Sequence, residues 1–109
     1  MEGPTSEKLQ KLYAMLEREP RDPFLLYGIG MEYKKLGAPD RSIDFFTRTI
    51  ELDPSYCYAY FQRGQVYEQL ADLAAARQSY EAGVAAARRA GDAHAQGELQ
   101  AALDMIADG

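Results

Sequence analysis

Few side chains in this sequence are suited to catalysis. His94 is the only histidine and Cys57 the only cysteine, and the acidic pair Asp40 and Asp44 is spaced to share one helical face. Nucleophilic catalysis needs a nucleophile, a base and an orienting group brought together, and no diagnostic spacing here supplies them. A structural zinc site needs several nitrogen or sulfur ligands, which one histidine and one cysteine do not provide. Gly28 and Gly30 fall inside a helical pattern rather than at a strand-to-helix turn, so they do not form a phosphate loop. Catalysis is left as a remote alternative, an unrecognised site at His94 or Cys57, and no cofactor or metal is implied. The residue types suit non-covalent recognition better. Phe24, Tyr27 and Met31 recur at three and four residues, as do Tyr58, Phe61 and Gln65. Aromatic surface patterned in this way either joins the core or forms a groove for an extended segment or a helix.

The elements that must position these side chains read as helices. Thr5 or Ser6 can cap a first helix with apolar positions Leu9, Leu12, Tyr13, Met15 and Leu16, ending at Pro20. Asp22 followed by Pro23 starts a second, which Gly37 closes. Pro39 opens a third that places Ile43, Phe46 and Ile50 on one side and breaks at Pro54. A fourth begins near Ser55 or Tyr56 and ends near Ala71. Asp72 caps an alanine-rich fifth running to Gly91, and Asp92 caps a last helix reaching about Ile106. Alternation never persists, so no strand is predicted. About six helices with short connections pack as antiparallel neighbours.

Two stretches, from Leu26 to Pro54 and from Tyr60 to Arg88, repeat one pattern at an offset of thirty-four positions (64 − 30 = 34 for Gly30 and Gly64). Leu26 pairs with Tyr60, Tyr33 with Tyr67, Leu36 with Leu70, Ser42 with Ala76 and Phe46 with Tyr80. Glycine inside a helix costs about 1 kcal/mol against alanine, so its recurrence requires a helix passing too close for a side chain. On these residues the chain resembles the tetratricopeptide repeat family, over roughly residues 22–88. It departs from the family at Arg63, where leucine is usual, and at Arg88, where a closing proline is usual. Leu26 also replaces a large aromatic.

The resemblance implies an all-α fold of antiparallel helix-turn-helix repeats stacked as a short right-handed solenoid, in a small stand-alone protein of bacterial type. The expected single domain, 1–109, comprises a leading half-repeat helix (5–19), repeat 1 (21–54), repeat 2 (55–90) and a C-terminal capping helix (92–107). It further implies that the first helix of each repeat lines a concave surface. Carried over residue by residue, the inward positions are Phe24, Tyr27, Met31, Lys34 and Lys35, then Tyr58, Phe61, Gln65, Glu68 and Gln69, with Tyr56 beside them. Relatives that clamp a terminal carboxylate carry lysine, arginine and asparagine where this chain has Tyr27, Met31, Phe61 and Gln65, so that clamp is not expected.

At 109 residues and 47% apolar, the chain supports one core. Its net charge of −5 argues against an RNA-reading repeat, which needs a basic track to meet phosphates. The expected partner is a protein or peptide, bound by a scaffold or adaptor module, with no nucleic acid. The alternative is a self-assembling structural subunit, a homo-oligomer paired through the aromatic surface or the last helix. No apolar run approaches the roughly twenty residues that span a bilayer, and the first ten residues carry no signal-peptide core. Membrane insertion is not expected, and the expected location is cytoplasmic.

Overall fold

Four helix starts are fixed by a side-chain oxygen that accepts an otherwise unsatisfied backbone N–H. Ser6 Oγ accepts from Leu9 N at 3.0 Å and Asp22 Oδ1 from Phe24 N at 2.9 Å. Asp72 Oδ1 accepts from Ala75 N at 3.1 Å and Asp92 Oδ1 from Ala95 N at 3.0 Å. The computed structural model describes residues 3–107, so positions 1, 2, 108 and 109 of the expected domain lie outside the described residues. Among the described residues there are six helices and no strand: α1 (Glu7–Arg18), α2 (Pro23–Lys35), α3 (Pro39–Leu52), α4 (Cys57–Gln69), α5 (Leu73–Ala90) and α6 (Ala93–Ala107).

The ends of α2, α4 and α5 share one turn. Gly37, Ala71 and Gly91 adopt left-handed backbone with φ of 75°, 61° and 71°. In each case the next residue's N–H reaches back five residues to a helix carbonyl: Ala38 to Tyr33, Asp72 to Tyr67 and Asp92 to Ala87, all at 2.9 Å. This is the Schellman geometry, in which glycine avoids the Cβ clash of the left-handed region. Ala71 alone keeps that clash. Ala71→Gly therefore stabilises the fold by about 1 kcal/mol, and thermal unfolding followed by circular dichroism checks it.

The recurring glycines sit where a first helix meets the aromatic residue of its partner. A Cβ at Gly30 would lie 2.7 Å from Phe46 Cε1, and one at Gly64 would run into the Tyr80 ring. Both rings are fully buried. Each helix pair thus closes glycine to aromatic, which accounts for Gly30, Gly64, Phe46 and Tyr80 keeping the period.

Substantial contacts join each helix to the next in sequence, and α4 also touches α2 and α6. The result is a short all-α solenoid measuring 40 × 29 × 18 Å. Two core clusters follow. Leu9, Leu26, Ile29, Tyr33 and Phe45 fill the α1–α3 end. Tyr60, Tyr80, Val84, Ala95, Leu99 and Ile106 are prominent in the α4–α6 end. Two details of the helical faces differ from the sequence reading. In α1 only Leu9 is buried, while Tyr13 and Met15 are exposed, because α1 has a single substantial helix neighbour, α2. In α3 the buried set is Ser42, Phe45, Phe46 and Thr49, with Ile43 and Ile50 only half-buried. Packing α3 against both α2 and α4 rotates its inward face by about one residue.

Candidate functional site

α2, α4 and α6 lie in sequence across one side of the stack, with α4 in the middle. Between α4 and α6 runs a groove of about 450 Å³, whose lining includes Phe61, Gln65 and Glu68 of α4, Tyr80 of α5, and Glu98 and Met105 of α6. Met105 is 78% exposed. A larger recess of about 530 Å³ lies at the α1 end, among Leu16, Leu26, Arg48 and Leu52, and none of the sequence-predicted site residues line it.

The predicted residues fall into three groups. Tyr27 is half-buried between Phe46 and Tyr56, with ring centroids 5.7 and 4.9 Å away. Burial raises the pKa of both the Tyr27 and Tyr56 hydroxyls. Met31 is half-buried on the same helix. A second group surrounds the groove. Phe61 stands between Tyr58 and Tyr80, with centroids at 6.5 and 6.1 Å. The Tyr58 hydroxyl donates to Glu98 at 2.6 Å, and the Tyr80 hydroxyl donates to Glu68. Phe24, Lys35 and Gln69 stand apart, all exposed, with Gln69 lining a smaller recess beside Leu70.

Lys34 ties the first two groups together. Its ammonium donates to Gln62 Oε1 at 2.6 Å and Gln65 Oε1 at 2.7 Å. Partial burial pushes its pKa below the usual lysine value. Among the described residues, no carboxylate lies within ion-pairing distance of it.

The hydrogen bond to Glu98 pushes the Tyr58 hydroxyl up to about 12, with desolvation as the next cause. A hydroxyl raised in the folded state favours folding below its ordinary pKa near 10, and that contribution is lost as pH climbs through about 12. Glu98→Gln removes the anionic acceptor, so Tyr58 then titrates closer to about 10. Tyrosine carbon-13 chemical shifts followed against pH read this directly.

The candidate site contains positions that sequence reading missed. Gln62 is one of the two Lys34 acceptors, and Glu98, Ala101 and Met105 make the α6 wall. A signal for that wall was present: Asp92 caps α6 much as Asp22 caps α2, which identifies a further helix after repeat 2, although its start is not in register with the thirty-four-residue period. Arg63 is the other surprise. Where leucine was expected, its guanidinium donates to Ser79 Oγ at 3.0 Å and Thr47 Oγ1 at 3.2 Å and lies 5.9 Å from the Tyr60 ring centre.

The catalytic candidates are not assembled. The Cys57 thiol is buried, donates to the Ser55 carbonyl at 3.3 Å, and has a raised pKa, first from burial and then from Asp92. That environment opposes the thiolate. His94 is exposed, 3.2 Å from Glu98. No group of potential metal ligands occurs among the described residues. No helix among them is long and apolar enough to cross a membrane.

Comparison with known proteins agrees with this architecture. The tetratricopeptide repeat is matched by family models over residues 25–56 and 45–78. A TPR repeat-containing protein of Pseudomonas aeruginosa is 32% identical over 98 residues, covering 90% of this chain and 93% of that protein. The crystal structure of a tetratricopeptide repeat domain protein from Salinibacter ruber superposes with a TM-score of 0.74 at 31% identity, covering 80% of this chain and 97% of that one. The fold is also that of PcrH, solved in complex with the chaperone binding region of PopD, with a TM-score of 0.85 at 17% identity over 92% of this chain and 76% of that one. With a glycine-to-aromatic contact in both helix pairs and relatives that align along most of their length, the chain belongs to the tetratricopeptide repeat family.

Proposed function

We propose that the protein is a protein- or peptide-binding module whose occupant lies across α2, α4 and α6. The observation that carries this reading is the groove of about 450 Å³ between α4 and α6, where Phe61 and the highly exposed Met105 offer apolar contact beside hydrogen-bonding groups. The predicted residues Tyr27, Met31, Lys34, Tyr56, Tyr58, Phe61, Gln65 and Glu68 contribute to the same side. Phe24, Lys35 and Gln69 have a lesser part, at its margins. PcrH with its PopD segment supports the general role, since it has this fold and was solved with a partner's binding region. A scaffold or adaptor role in the cytoplasm is consistent with this reading.

Phe61→Ala combined with Met105→Ser tests it. Aromatic anchors at the centre of an interface are each worth about 2 kcal/mol or more, so partner capture falls roughly thirtyfold or further while the helical spectrum stays intact. Capture at wild-type level by the folded double variant would remove this side of the stack from consideration.

A further inference from the structure

Resting on that reading, we propose that the occupant is an extended segment with an acidic residue and an arginine on either side of apolar residues. The acid meets Lys34, and the arginine enters the groove between Glu68 and Glu98. The binding face carries charge of both signs that no lysine, arginine, aspartate or glutamate among the described residues pairs with. At Lys34 the ammonium has three donors and two neutral amide acceptors, Gln62 and Gln65. One donor is left, and the charge has no counter-ion within reach among the described residues.

Across α4 the sign reverses. Glu68 Oε2 accepts from Tyr80, and Glu98 Oε1 accepts from Tyr58 and faces His94. Neutral tyrosine hydroxyls orient these carboxylates without cancelling their charge. The second oxygen of each has no partner among the described residues, and neither carboxylate is paired with a lysine or arginine. Both line the groove that Phe61 and Met105 make apolar. An arginine fits such a place better than a lysine, because its planar fork can reach two carboxylates while its face lies on an aromatic ring.

Spacing limits the segment further. Lys34 reaches α4 from the α2 side and the carboxylates flank α4 on the α6 side, so the two charges are separated by about one interhelical distance, roughly 9 Å. About three extended residues cover that distance. Apolar residues between the charges then cross α4 beside Phe61.

The test uses two capped four-residue peptides, one with aspartate, two leucines and arginine, the other with glutamine in place of both charged residues. Titration into the labelled full chain is followed by backbone amide NMR. The charged peptide is expected to shift α2, α4 and α6 amides and to bind about tenfold tighter than the glutamine peptide, with the difference shrinking as salt rises. Lys34→Met removes the advantage of aspartate alone, and Glu68→Gln with Glu98→Gln removes that of arginine alone. Glutamine still accepts from the tyrosines, so these variants keep the fold. Equal affinity of the two peptides at this face overturns the charge pattern and leaves the groove reading standing. Absence of shifts on α2, α4 and α6 also overturns it, and the Phe61→Ala and Met105→Ser capture experiment then decides the groove reading independently. A dimer that Glu98→Lys dissociates would identify a second copy of the chain as the occupant and overturn the peptide proposal.

Discussion

Gly30→Ala lowers the thermal midpoint by about 10 °C, the consequence of a net loss of roughly 2 kcal/mol once an overpacking cost of about 3 kcal/mol is set against alanine's helix propensity. The added methyl would sit 2.7 Å from Phe46 Cε1, 2.8 Å from Cδ1 and 3.2 Å from Cζ. On an exposed site the ring would swing aside. Phe46 is 0% exposed and its ring also packs on Tyr27, so the helices must part instead. Alanine's better helix propensity returns about 1 kcal/mol and does not offset the clash. Phe46→Leu removes ring atoms at the contact, so the double variant is less destabilised than the two single changes added together, by about 1 kcal/mol. Urea unfolding of the four proteins measures that coupling. Additive effects would mean that Gly30 is present for some reason other than the ring.

Leu99→Ala costs about 3 kcal/mol and does its damage at the end of the molecule. Leu99 is fully buried, with its methyls filling the space where Gly83 lacks a side chain: a Cβ there would lie 2.7 Å from Leu99 Cδ2 and 2.8 Å from Tyr60 Cβ. Among the described side chains, the other buried anchors of α6 are Ala95, which contributes little area, and Ile106 near the helix end. Truncating Leu99 therefore loosens α6 before the rest of the stack. Hydrogen exchange in α6 accelerates while α2 and α3 stay protected. Leu99 does not line the groove, yet partner capture weakens, because one wall of the groove is α6.

What could be read from the sequence divides along the range of the interactions. Caps and stops depend on residues a few positions away, so Asp22, Asp72, Asp92 and Gly91 identify their helix ends directly. Gly30 and Phe46, like Gly64 and Tyr80, were legible because the pattern occurs twice. Arg63 was not. Its environment is made by Thr47 and Ser79, sixteen positions to either side, and only the packed helices bring those hydroxyls together. Glu32 is a second case. A carboxylate on the otherwise apolar buried face of α2 is held at 5% exposure because Ser6, twenty-six positions earlier, donates to it at 2.9 Å. For the candidate site, the repeat gave the α2 and α4 residues, whereas the α6 wall depends on how the last helix docks.

The chain of contacts from α1 to α6, each helix against its sequence neighbour, has a consequence for how the protein is made. No pairing waits for a distant segment, so closing each hairpin costs little loop entropy and the conformational search is local. Refolding is accordingly fast, on the order of microseconds to milliseconds for a topology of this kind. During synthesis, α1 to α3 can bury Leu9, Ile29 and Phe45 while the ribosome is still adding α5, so the nascent protein never has to hold its whole apolar content in water at once.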